Sequence, residues 1–115
     1  MQSFIEPSAV FLHRDFVDFR KSINGLTALV EDELNRDAYT GELFVFCNKA
    51  KDKLKILYWD KTGFALWYKR LEKQKFKWPS HIDCNEFELT GEQFKWLLSG
   101  FDVLGHQTLH YRSMR

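Results

Sequence analysis

The chain has only two cysteines, Cys47 and Cys84, and they form no Cys-x-x-Cys pair. That excludes a disulfide framework and a paired-thiol redox motif, and the thiols read as reduced side chains of a cytoplasmic protein. No apolar run approaches the roughly 18 residues that span a bilayer, so no membrane partner is expected. The opening residues, MQSFIEPSAVFLHRDF, lack the basic start and long apolar core of a secretion signal. Internal repeats and low-complexity segments are missing as well.

Catalytic signatures are equally scarce. There is no Gly-x-Ser-x-Gly, no phosphate-binding loop and no dinucleotide fingerprint. His106 and His110 are four apart but lack the glutamate of a zinc-protease helix, and His81 with Cys84 has no second ligand pair. Asp15, Asp18 and Asp60 are of the type a two-metal nuclease uses. Their positions are sufficiently explained as helix caps and a turn residue. No catalytic residue, metal or cofactor is therefore expected.

What is present is a globular composition: 115 residues, 44% apolar and 29% charged. One domain with its own core is the default at this length. The aromatic share is 17%, including eleven Phe, which calls for a stiff core, an aromatic binding surface, or both. Net charge is +1 but unevenly spread. Residues 1–48 carry four Lys/Arg against eight Asp/Glu, residues 49–77 ten against three, and residues 78–115 three against five. A basic block thus sits between acidic arms, and local fields of this kind decide what a surface attracts.

Periodicity and turn signals predict a strand at Ala9–His13 and a helix from about Phe16 to Leu34, with Asp15 as its cap. Gly25 inside that helix implies either close packing or a break at Asn24–Gly25. A central strand is expected at Glu42–Asn48, then strands at Leu54–Asp60 and Phe64–Leu71 joined by a turn with a left-handed Gly63. Gln74–Trp78 alternates like an edge strand ending at Pro79, and Glu86–Leu89 reads as a short strand. Thr90 and Gln93 form a capping box for a second helix that stops at Gly100. The order β-α-β-β-β-β-β-α predicts an α+β domain over residues 1–102: a mostly antiparallel sheet of about five strands with two helices on one face. Residues 103–115 lack periodicity and read as a C-terminal tail.

The hairpin KILYWDKTGFALWYKRL (55–71) is apolar on both faces. Pairing Trp59 with Ala65 and Leu57 with Trp67 places Trp59 and Trp67 on one face, and Tyr58, Phe64 and Tyr68 on the other. Both faces then need cover. The second could be covered by the chain's own termini. Alternatively it meets a partner, a second copy of the protein included, through Trp59, Trp67 and Trp78. Around the hairpin stand Lys49, Lys51, Lys53, Lys55, Lys69, Arg70, Lys73, Lys75 and Lys77. Alternating lysines in extended chain point the same way. A positive stripe interleaved with aromatic rings suits phosphate contact plus base stacking; a lysine-blunted, solvated edge is the alternative.

Several segments together carry a family resemblance: DFVDFRKSINGLTALV (15–30), GELFVFCNKAKDKLKILYWDKTGFALWYKRLEK (41–73), KFKWP (75–79) and FELTGEQFKWLLSGFD (87–102). Their order and spacing resemble the TnpB-type accessory proteins of insertion sequences of the sixty-six type, encoded by the element's second open reading frame. These are unrelated to the RNA-guided nuclease of the same name. The resemblance implies a non-enzymatic helper of DNA transposition that acts with a separate transposase. It places Arg20, Lys21, Lys69 and Arg70 on family motif positions and favours them as DNA contacts. The family's arginine-rich loop is here Asn48-Lys49-Ala50-Lys51, which keeps charge but loses the guanidinium fork.

Overall fold

The structure is a computed structural model and describes residues 9–101. Two runs of consecutive apolar residues, Val10–His13 (β1) and Leu43–Cys47 (β2), are buried throughout. They pair in parallel at the heart of the sheet, with Leu12 opposite Val45. Between them lies helix α1, Ile23–Asp32. Strands β3 (Lys53–Asp60) and β4 (Gly63–Arg70) continue outward as an antiparallel meander. Strand β5 (Glu86–Leu89) returns to pair antiparallel with β1, and helix α2 (Gly91–Leu98) follows it. The strand order is β4-β3-β2-β1-β5. The expected α+β architecture, mostly antiparallel with five strands and two helices, is the observed one.

The helices do not share a face. Phe11, Phe44, Phe46 and Leu57 pack with Leu26 and Val30 of α1. The alternate residues Val10, Leu12, Val45, Leu54 and Ile56 pack with Phe94 and Leu97 of α2. Strands with no polar alternation need cover on both sides, so each face takes one helix. Among the described residues, the two helices and the segment carrying Phe76 and Trp78 cover part of the hairpin, and Tyr68 stays half exposed. The tail at 103–115 lies outside the described residues.

Four further expectations need correction. Helix α1 begins at Ile23, not near Phe16. The backbone N–H of Val17 donates to the Cys47 carbonyl at 2.9 Å, and the Asp18 carboxylate accepts from the Arg20 N–H at 2.9 Å. Asp18 thus offers the chain a local alternative to helix. Gln74–Trp78 is not a strand. Its alternation reports burial of Phe76 and Trp78 beneath the sheet, and it is anchored by the Phe76 N–H to the Lys51 carbonyl at 2.7 Å and by the Trp78 indole N–H to the Arg14 carbonyl. The β3–β4 register is one residue tighter than expected: Trp59 faces Phe64, and Ile56 faces Trp67. The left-handed turn residue is Lys61 (φ 56°), so Gly63 joins the ladder and the loop shrinks to Lys61–Thr62. A one-residue slip exchanges faces, so Trp59 lies on the α1 side and Trp67 on the α2 side.

Helix α2 follows its sequence signals. Thr90 and Gln93 form a reciprocal capping box. At the other end Gly100 (φ 89°) lets its own N–H reach the Leu97 carbonyl and the Phe101 N–H reach Trp96. The buried Cys47 thiol is pushed up to about 12 by burial, whereas Cys84 is exposed. A thiol-reactive disulfide reagent should therefore label one cysteine per folded chain and two in denaturant. Two rapid labellings of the native protein would contradict this core assignment.

Candidate nucleic-acid interface

The segment between β1 and α1 is pinned at several places. His13, buried at the end of β1, donates from Nδ1 to the Asp15 carbonyl at 2.8 Å, with Nε2 2.7 Å from the Glu33 carboxylate. Val17 bonds to β2 as described above. Lys55, on the α1 side of β3, donates from Nζ to the Phe19 carbonyl at 2.9 Å and stands 4.8 Å from the centre of the Phe19 ring. A charged donor on a carbonyl is a strong bond, and the ring adds a cation–π contact.

Pinned in this way, the segment forms one wall of an open cleft of about 900 Å³. Phe16, Phe19 and Arg20 come from this segment, Lys49 and Ala50 from the β2–β3 loop, and Lys53, Lys55 and Tyr68 from the sheet. Tyr68 faces Lys55 across the hairpin and is half exposed. Asp18 is the one carboxylate in the lining, and the Arg20 fork holds it at 2.6–3.1 Å. Those hydrogen bonds lower the Asp18 carboxyl to about 2, so it stays ionised at neutral pH. The Arg20 side chain is nonetheless 91% exposed.

The loop between β2 and β3 owes its shape to Asn48. Its Oδ1 accepts from the Lys53 N–H at 3.0 Å, and its Nδ2 donates to Asp52 at 2.8 Å, which lowers the Asp52 carboxyl. Lys51 takes a left-handed conformation (φ 64°), and this breaks the expected alternation. Lys49, Lys53 and Lys55 line the first cleft. Lys51 turns instead to a second cleft of about 360 Å³ beyond Ala50, with Lys75, Lys77, Phe76 and Trp78.

The other expected cations are dispersed. Lys69 donates from Nζ to the Leu98 carbonyl at 2.7 Å and so ties β4 to the C-terminal end of α2. Arg70 pairs with Glu72 at 2.9 Å. Lys21 is exposed, with its stem against the first turn of α1: a Cβ added at Gly25 would lie 3.2 Å from Lys21 Cβ, so close packing accounts for that glycine. Lys73 is exposed and lines neither cleft.

The three tryptophans expected at a partner surface do not form one surface either. Trp78 is 5% exposed and donates its indole N–H to the Arg14 carbonyl at 2.8 Å, so it is a core residue and not an available partner contact. Trp67 packs partly buried on the α2 side. Trp59 clusters with Phe64 and Tyr39, each pair of rings 5.0 Å apart. Sequence reasoning missed Phe16, Phe19, Asn48 and Tyr39. Their roles depend on how loops fold back onto the sheet, and no local pattern encodes that. Tyr68 was hidden by the register slip alone.

If Lys55 holds the cleft wall, Lys55→Met should raise the rate of native-state trypsin cleavage after Arg20 or Lys21. The gain should be on the order of tenfold, as expected for loss of a charge-assisted bond from a locally opening segment. An unchanged rate would show that the wall does not depend on this contact.

Residues 8–108 match the family described as IS66 Orf2 like protein. Two proteins of Sinorhizobium fredii are similar over most of their length. The uncharacterized protein y4jC is 43% identical over 86 residues, which cover 75% of this chain and 73% of that protein. The uncharacterized protein y4hO is 31% identical over 93 residues, covering 81% and 80%. No solved structure matches the chain significantly. The chain belongs to the IS66 Orf2-like family, and through it to the accessory proteins of insertion sequences.

Proposed function

We propose that the protein is a non-enzymatic accessory of insertion-sequence transposition, working in the cytoplasm with a separate transposase and holding DNA in its basic cleft. One observation carries this reading: Arg20, Lys49 and Lys53, drawn from the segment before α1, the β2–β3 loop and the sheet, converge on one cleft with aromatic walls, and Lys55 ties its wall to the sheet. Phosphates supply the charge such a lining needs, and rings accept bases. Lys51, Lys75 and Lys77 extend the positive surface past Ala50. Lys69 and Lys55 also serve the fold, so their substitution would confuse loss of binding with loss of structure.

The test is a salt titration of duplex binding with Arg20, Lys49 and Lys53 changed together to Gln. Each lost phosphate contact lowers the slope of log affinity against log salt by about 0.9, so the slope should fall by about two to three. A variant with the parental slope, or a parent protein that binds no DNA at low salt, overturns the reading.

A second reading is favoured by the ring cluster of Tyr39, Trp59 and Phe64. Tyr39 is 54% exposed at the far end of the hairpin. Exposed aromatic clusters are common interface anchors, and the transposase of the same element is the partner this reading names. Trp59→Ala should then abolish co-purification with the transposase while leaving far-UV circular dichroism unchanged. Undiminished co-purification would remove this reading.

A further inference from the structure

Resting on the DNA-contact reading of the basic cleft, we infer that its preferred occupant is an unpaired strand and not a duplex. Size and shape come first. At about 900 Å³ the open cleft is of the scale of small-ligand sites. That volume matches a base or two with the attached phosphates better than a duplex. The lining comes second. Tyr68 presents a half-exposed ring from the sheet directly opposite Lys55, with Phe16 and Phe19 on the facing wall. Rings on a strand beside a row of cations make a platform on which bases stack while the backbone is neutralised, and this arrangement is tolerant of sequence.

The helices weigh the same way. Duplex reading commonly places a helix in the major groove, with cationic and amide side chains at the base edges. Helix α1 carries no basic residue, and its buried side is spent on the sheet. Helix α2 has a single cation, Lys95, and is likewise packed on the sheet. Among the described residues, neither helix offers a cationic face to a groove. That leaves the rings of the cleft as the groups best placed to engage bases, and a base presents its flat side when it is unpaired.

The experiment compares a fluorescently labelled oligonucleotide of about twelve nucleotides, within the span such sites cover, with the same sequence annealed to its complement. Anisotropy is followed at low and moderate salt. The single strand should bind at least about tenfold more tightly, because only it gains the stacking contribution. Tyr68→Ala should weaken single-strand binding by about five- to hundredfold, the range for one stacked base, and leave duplex binding within twofold. Tyr68→Phe should restore it, since the ring and not the hydroxyl is used. Equal or tighter duplex binding overturns this inference and leaves the DNA-contact reading standing. So does an equal loss for both forms in Tyr68→Ala. If neither form binds the parent protein at low salt, the DNA-contact reading fails and this inference with it.

Discussion

Phe44 and Val45 are neighbours on one strand and lie in different cores, and the rest of the structure follows from that division. Strands β1 and β2 carry large apolar side chains on both sides, so at these two strands neither face of the sheet can meet water. Burying such faces is the dominant favourable contribution to folding. It sends α1 to one side and α2 to the other, and it draws Phe76 and Trp78 beneath the sheet as additional cover. Charged side chains have little room on either face. Of the 49–77 block, Lys49, Lys53 and Lys55 gather at the rim, where the β2–β3 loop and the segment before α1 meet, and the others are dispersed.

At that rim, electrostatics and packing reinforce each other. Lys55 ties the Phe16–Arg20 wall to β3 through the Phe19 carbonyl. Asn48 shapes the neighbouring loop so that Lys49 faces the same cleft. Asp18, the one carboxylate in the cleft lining, is already engaged by Arg20, and Asp52 in the loop stands 3.4 Å from Lys53 Nζ. The result is a local concentration of positive charge on a chain of nearly neutral total, where a polyanion would gain most from contact. Other cations of the block serve the architecture. Lys69 satisfies a carbonyl at the end of α2, and a side chain committed in this way has less to offer a ligand.

Much of this order was legible in the sequence. The unbroken apolar run of LFVFC marked the central strand, and the Thr90/Gln93 box with Gly100 located α2 closely. These signals are local, arising from caps, turns and burial within a few residues. What could not be read was set by distant contacts. Asp18 looked like a helix residue until its carboxylate was seen bonding the Arg20 amide. The alternation in QKFKW was real, yet it recorded packing and not pairing. The hairpin register turned on whether Lys61 or Gly63 took the left-handed conformation, and that choice moved Trp59 away from Trp67 and placed Tyr68 beside Lys55. The basic block was visible as composition. Its division between a cleft, a second cleft and structural ties required the fold.

The central claim is that nucleic acid is held at the rim by the wall before α1 and the β2–β3 loop. Backbone amide chemical shifts followed during addition of an oligonucleotide test this most directly. The account predicts that the largest changes fall on residues 16–20, 48–55 and 68, with Gly91–Leu98 and the Tyr39–Trp59–Phe64 cluster unmoved. Changes centred on that cluster, or spread evenly over the surface lysines, would contradict it.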